Sequence, residues 1–361
     1  MGAPIGIVLK IDNTMKTKVY ILGAGCSVCG EYPLASQVTA KLLDFARIRL
    51  AREDSKKLQR CMLDTCRRMM ETGVETIDQL AGRLNGSEPE VILDAKLAMS
   101  IYFLAIEDAA VERALLNYTA FFEELFRYGN SELLNERVKS TPSRVITYNY
   151  DRLFERAFIE WAKRIEPYNE DMASGLDGFV TKYLNTGFGD PHKIDFEEDR
   201  FSLLKLHGGV GQFSRTNDYG FKHIYRPQFG SSITEFTDNN HYRPEGYPND
   251  IPTLIFPADK SVKNNQNGSS FVEYMKAFES QALAYCQQAD EIQIIGYSIQ
   301  SIDYFSFKAM IASAKDCKRI IVRNRVSEES RLMRTLEGLK EEFAATWKIE
   351  FRAEDFFARE S

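Results

Sequence analysis

Short apolar runs alternate along this chain with longer stretches whose apolar positions recur every three or four residues. The runs read as buried strands at 18–22, 143–147, 202–206, 253–256, 291–295 and 319–323. The periodic stretches read as helices over 151–164, 271–288 and 302–314. A final helix follows, then an apolar tail with Ile349, Phe351, Phe356 and Phe357. From Leu34 to about Tyr128 the helical period dominates, as in Leu97, Ile101, Leu104 and Ile106, with breaks near Gly73 and at Asn85-Gly86-Ser87. That stretch is too long for one crossover helix, and it predicts a large helical insertion over about 37–140. Residues 165–200 are mixed. Residues 209–250, rich in Gly, Asn, Tyr and Pro, read as a long loop or a small β excursion. Strands alternating with helices predict an α/β fold with a doubly wound, parallel, Rossmann-like sheet. The chain divides into an arm at 1–17, a domain at 18–325 and a C-terminal helix and tail at 326–361.

Composition narrows this picture. With 361 residues and 44% hydrophobic content, the chain can bury a sizeable core. A net charge of −6 gives no bulk reason for nucleic-acid binding. The cluster Lys315, Lys318, Arg319, Arg323, Arg325, Arg331 and Arg334 reads as a solvated face, with a partner contact as the alternative. No apolar run reaches membrane-span length, and no secretory signal opens the chain. Six cysteines without a secreted spacing pattern point to the reducing cytoplasm. Cys26-x-x-Cys29 lacks the second pair that a structural zinc needs, so these read as small buried hydrophobes and no metal is expected.

In doubly wound sheets, ligands sit beyond the carboxyl ends of the strands. The chemistry-bearing residues of this chain fall there. Gly23-Ala24-Gly25 follows the first strand as a tight turn, the kind that lets backbone approach a phosphate, with Ser27 adding a hydroxyl. Val28 occupies the place of the third glycine of the dinucleotide fingerprint, and no acidic residue closes a second strand about twenty residues on, which disfavours an ordinary dehydrogenase. Asn149 ends the second strand, as either a helix N-cap or a ligand for a ribose hydroxyl or water; Asp151 is an alternative cap. His207 ends the third and is followed by Gly208-Gly209; a neutral imidazole there can accept a proton from water or a ribose hydroxyl. Gly296-Tyr297-Ser298 and Asn324 end two later strands, and Asp303 reads as a helix N-cap. His192, His223 and His241 lie in irregular polar segments and read as surface residues.

The segments V-Y-I-L-G-A-G-C-S, R-V-I-T-Y-N-Y-D, L-L-K-L-H-G-G, I-Q-I-I-G-Y-S-I-Q-S-I-D and I-I-V-R-N, in this order, resemble the sirtuin family. They look more like its bacterial NAD-hydrolase branch than its protein deacylases. The resemblance implies a sirtuin-like fold in which Asn149 and His207 are catalytic. It implies that Gly23, Ala24, Gly25, Ser27, Pro33, Thr147, Asp151, Gly296, Ser298 and Asn324 bind NAD. It further implies cleavage of NAD, as substrate, to ADP-ribose and nicotinamide without a metal, in antiphage defence by NAD depletion. Partners implied are a homo-oligomer, built through the helical insertion and the aromatic tail, and a sensor such as a DNA-translocating ATPase or an Argonaute-type protein. The sequence departs from the deacylase pattern: Leu34-Ala35-Ser36 stands where Asp-Phe-Arg is usual, Tyr148 where Gln is common, and the zinc ribbon is missing. Protein deacylation, ADP-ribosyl transfer and a non-catalytic NAD or ADP-ribose sensor are the alternatives.

Overall fold

The structure is a computed structural model that describes residues 16–48, 56–84, 88–127, 133–139, 141–187, 195–197, 200–210, 213–216, 222–225, 250–252, 254, 268–301 and 303–353. The arm before residue 16, the break at 85–87, His192, His241, Phe356, Phe357 and most of 253–256 lie outside the described residues.

The first strand, β1 (Lys18–Leu22), passes straight into a 3-10 helix (Ala24–Gly30), and a second 3-10 turn (Ala35–Gln37) leads into the insertion. The helical pattern therefore starts ten residues earlier than the sequence suggests, and in the tighter form. Among the described residues five helices make the insertion: α1 (Val38–Ile48), α2 (Lys56–Thr72), α3 (Ile77–Leu84), α4 (Pro89–Leu125) and α5 (Leu134–Lys139). Strand β2 (Arg144–Thr147), helices α6 (Leu153–Ile165), α7 (Glu170–Ser174) and α8 (Leu176–Leu184), and strand β3 (Ser202–Lys205) follow. The glycine- and asparagine-rich region then takes the β form: β4 (Phe213–Thr216), β5 (Lys222–Tyr225) and β6 (Asp250–Pro252) pair antiparallel in a separate small sheet. The described strand next to the expected one at 253–256 is β6, which pairs in this small sheet. Helix α9 (Gly268–Gln287), β7 (Glu291–Ile295), α10 (Tyr304–Ser313), β8 (Arg319–Asn324), α11 (Glu329–Glu342) and β9 (Lys348–Ala353) complete the described chain.

Six strands form one parallel sheet in the order β3-β2-β1-β7-β8-β9. Counted within the sheet this is 3-2-1-4-5-6, the doubly wound arrangement whose switch point lies between its first and fourth strands. Here that point falls between β1 and β7. The central strands are mostly apolar because both faces are covered, and the buried Gln293 and Glu291 of β7 are hydrogen-bonded to each other. Tyr20 and Leu22 point into the core under the insertion, and Val19 and Ile21 into the core under α9, α10 and α11. The first part of the C-terminal apolar stretch, expected as a tail, forms the sheet's edge strand β9. Ile349 and Phe351 pack on the core, and Lys348, Glu350 and Arg352 alternate with them, as an exposed edge requires.

Helix α4 carries apolar residues on several faces and is covered by neighbours on most of them, leaving Asp108, Glu112, Arg113 and Leu116 exposed. Leu97, Ala98, Ile101, Ala110, Ala114, Phe121 and Phe122 are all buried in the core it shares with α1, α2, α3 and α6. Much of the insertion's apolar surface is buried within the chain, while Ile48, Met70, Leu116 and Leu133 stay exposed. Phe122 alone meets Phe154, Phe158 and Trp161 with ring centroids 5.1, 5.8 and 5.5 Å away, and such pairs add about 0.5–1.5 kcal/mol each beyond burial. Among the described residues no helix is long and apolar enough to cross a membrane.

A buried ion pair clamps the insertion to the sheet layer. Arg152, at the start of α6, donates from Nε and Nη2 to both carboxylate oxygens of Glu107 on α4, at 2.7 and 2.8 Å. Both side chains are almost fully buried, and Arg156 adds a second contact to Glu107 at 3.3 Å. Removing one partner of such a pair strands the other charge away from water. Glu107→Ala is therefore expected to lower stability by about 3–5 kcal/mol, read as a fall in the urea unfolding midpoint. A wild-type midpoint would show that Arg152 finds other compensation.

Candidate functional site

The site begins at the switch point, where two backbone turns are sewn together. Gly23 N–H donates to the Ile295 carbonyl at 3.0 Å, and Gly25 N–H to the Gly296 carbonyl at 2.9 Å. A side chain at residue 23 is forbidden by this seam, since a Cβ there would lie 2.5 Å from Tyr297 Cα and 2.6 Å from the Gly296 carbonyl oxygen. Two of the turn's N–H groups are thus spent on the neighbouring strand end. Asn324, at the end of β8, extends the seam: its amide donates to the Tyr297 carbonyl at 3.2 Å and accepts from the Arg325 N–H at 2.9 Å.

A cavity of about 480 Å³ opens above the seam, within the range of small-molecule sites, about 300–1,000 Å³. It is lined by Ala24, Gly25, Ser27, Pro33, Asn149, Asp151, His207, Gly296, Ser298 and Asn324, so ten of the twelve expected site residues share one wall system. Gly23 and Thr147 stand behind it and act on the others. Gly23 permits the close approach of the turns, and Thr147 Oγ1 accepts the Asn149 N–H at 3.0 Å.

The polar residues form a chain. Asn149 Nδ2 donates to Ser27 Oγ at 3.1 Å, and Ser27 Oγ donates to Asp151 Oδ2 at 2.8 Å. The other Asp151 oxygen accepts the Leu153 N–H at 3.0 Å, so Asp151 takes the first-turn N–H of α6 and the Asn149 side chain is released from capping. The N-cap position itself is held by Arg152, whose side chain makes no capping bond, so Asp151 acts from the residue before it. Asn149 Oδ1 is buried and has no hydrogen-bond partner among the described residues, although Asn149 lines the cavity. Such an orphaned acceptor calls for a donor from a ligand. Burial pushes the Asp151 carboxyl up from its ordinary range, and the Lys205 ammonium opposes this. Lys205, buried on β3, donates to the Asp151 carbonyl and, at 2.9 Å, to Glu155 Oε1.

His207 is 4% exposed and held from three sides. The edge of Tyr148 meets it at 5.2 Å between centroids, Tyr150 lies across it at 5.5 Å and 29°, and Asp303 Oδ1 is 2.9 Å from Nε2. Tyr148 itself stacks on Tyr297 at 4.3 Å and 3°. Asp303, read from the sequence as a helix cap, does occupy the N-cap position of α10, yet its side chain makes no capping bond. The insertion reaches the same place. Thr76, Ile77, Asp78 and Gln79 at the start of α3, with Met99 and Phe103 of α4, line the cavity, and Tyr150 donates to Asp78 Oδ1 at 2.8 Å.

Sequence reasoning missed Asp78, Tyr150, Lys205, Glu155 and the pairing of Asp303. Asp78 and Asp303 carry only helix-start signals, and Lys205 only the alternation of a strand. The residues that meet them lie far away along the chain, so no local pattern marks them.

Five of the cysteines are buried and Cys29 is half-buried. Cys26 Sγ donates to the Ile295 carbonyl at 3.1 Å and Cys29 Sγ to the Cys26 carbonyl at 3.2 Å. Burial pushes the Cys29 thiol up to about 11, and the Cys26 thiol further in the same direction. Among the described residues no cluster of three or more His, Cys, Asp or Glu side chains is arranged to hold a metal ion.

No family model and no curated protein match the chain. Solved structures similar to it include a Sir2 homologue in complex with NAD, at 12% identity and a TM-score of 0.41 over 91% of either chain. They also include a Sir2 enzyme bound to a propionylated peptide, at 12% identity and a TM-score of 0.39 over 94% of this chain and 89% of that one. A third is a Sir2 homologue in complex with ADP-ribose, at 12% identity and a TM-score of 0.40 over 91% and 94%.

A thiol with a raised acid range is a poor nucleophile, because only the thiolate attacks. Iodoacetamide at about pH 8 is expected to leave Cys26 and Cys29 unmodified in the folded protein and to label both in urea, as read by mass spectrometry. Rapid labelling of either in the native protein would contradict the buried-thiol assignment.

Proposed function

We propose that the chain is a sirtuin-like NAD glycohydrolase, releasing nicotinamide and ADP-ribose with water as the acceptor. One observation carries this reading. Ser27, Asn149 and His207, from three strand ends and far apart in sequence, converge on one cavity at the switch point of a doubly wound sheet. The residues fit such a substrate. Two glycine-containing turns lie side by side at the cavity floor, and the orphaned Asn149 Oδ1 awaits a hydroxyl or water donor. The resemblance of the strand-end segments to sirtuins supports the same identification.

The scissile bond joins a cationic pyridinium to a ribose carbon, so nicotinamide leaves neutral and needs no acid; charge builds on the sugar, as in other glycosyl transfers. The protein's task is then placement. Ser27 and Asp151 fix the Asn149 amide through the hydrogen-bond chain, so that Oδ1 orients the water or the ribose hydroxyl. His207 accepts the proton that the water gives up as its oxygen bonds to the ribose carbon. Residues of the insertion wall the cavity beside His207 and tie to it through the Asp78–Tyr150 bond. A wall so placed favours water over a peptide acceptor and excludes bulk solvent. A role in antiphage defence, with activity released by a partner, is part of the proposal and follows the family resemblance alone.

Purified protein incubated with NAD is expected to release nicotinamide. Asn149→Ala and His207→Ala should each lower that release by at least about 100-fold while the circular dichroism spectrum and melting behaviour stay those of a folded protein. Equal turnover by both folded variants would rule out the assignment, and deacylation of an acyl-lysine peptide would point to the alternative chemistry.

A further inference from the structure

We infer that Asp303 is the positioning residue for His207, holding the imidazole in the tautomer that carries its proton on Nε2 and leaves the Nδ1 lone pair as the proton acceptor. The inference rests on the NAD-cleavage reading for the role of the acceptor, but the tautomer itself does not depend on it.

Three observations support this. Asp303 has a use for its carboxylate close by, at the N-terminus of α10, and does not take it: no capping bond forms, and Oδ1 instead lies 2.9 Å from His207 Nε2. Both side chains are almost fully buried, 5% and 4% exposed, so the pair is shielded from solvent and from salt. The surroundings also limit the choice of partner. The Tyr148 and Tyr297 hydroxyls are held well above their ordinary range, first by burial and then by neighbouring charge that includes Asp303, so both phenols stay neutral. They offer His207 no second anionic acceptor, and the group that meets Nε2 is the Asp303 carboxyl. An ionised carboxylate only accepts, so the nitrogen facing it must carry the proton. The hydrogen bond made by one ring nitrogen fixes the state of the other. Tyr148 edge-on and Tyr150 across the ring then prevent the rotation that would exchange the two nitrogens.

The alternative is a buried pair that only stabilises the fold. The experiment separates the two. In the full-length protein labelled with ¹⁵N-histidine, long-range proton–nitrogen correlation spectra report the tautomer, and His207→Ala identifies the His207 signals. The expected wild-type pattern is protonated Nε2 with unprotonated Nδ1, shifting toward a tautomer mixture in Asp303→Ala. In the same variant and in the isosteric Asp303→Asn, kcat for nicotinamide release should fall about tenfold or more, with KM for NAD and the affinity for ADP-ribose within about twofold of wild type. A proton on Nδ1 in the wild type overturns the inference. So does retention of kcat within about twofold in the folded variants, even if their melting temperature drops, because that is the signature of a purely structural pair. If the wild type releases no nicotinamide from NAD, the activity reading fails, and the wild-type spectrum alone still decides the tautomer.

Discussion

The close approach of two turns at the sheet's switch point governs this molecule. Gly23 lies so near Tyr297 and Gly296 that no side chain fits between them, and the N–H groups of Gly23 and Gly25 are bonded across the gap to the end of β7. Parallel strands with both faces covered need long crossovers, and the chain leaves β1 on one side of the sheet and returns to β7 on the other. A crevice opens wherever two such crossovers diverge. The seam closes the floor of that crevice and leaves its upper part as the cavity.

Everything chemical hangs from this floor. The 3-10 helix after Gly23 delivers Ser27 to Asn149, and the Ser27–Asp151 bond in turn anchors the start of α6. Asn324 ties the β8 end to the same turn. Beneath these, Lys205 and Glu155 form a buried ion pair that touches the Asp151 backbone. Buried ionic groups of this kind are costly to desolvate, and their worth lies in fixing one arrangement rather than in net stability. Here the arrangement they hold is the spacing between the ends of β2 and β3, hence between Asn149 and His207.

The insertion contributes in a different way. Its central helix α4 is packed on several sides and clamped to α6 by Arg152 and Glu107. Its smaller helix α3 presents Asp78 to Tyr150, whose ring lies across His207. The Asp78–Tyr150 hydrogen bond therefore links the insertion to the residues around His207, and α3 and α4 complete the cavity wall.

The sequence by itself determined the elements and where their ends fall. Apolar runs bounded by Gly23, Asn149, His207, Gly296 and Asn324 are strands because a sheet covered on both faces favours apolar residues and admits a polar one, such as Gln293, only when it is hydrogen-bonded. Chemistry is therefore forced to the ends, where it can be read. The helical insertion was legible for the same reason, through its long three-and-four period. Local pattern could not decide what each polar side chain meets. Asp303 carries the signature of a helix cap and turns away to His207; Asp151 takes the first N–H of α6 and leaves Asn149 free of it; the apolar stretch at Ile349 and Phe351 becomes an edge strand only because β8 offers an unpaired side. These outcomes depend on neighbours distant in the chain, brought together by crossovers whose geometry the sheet imposes. Tertiary structure alone made that choice, since hydrogen bonding and burial are settled by spatial contact and not by order along the chain.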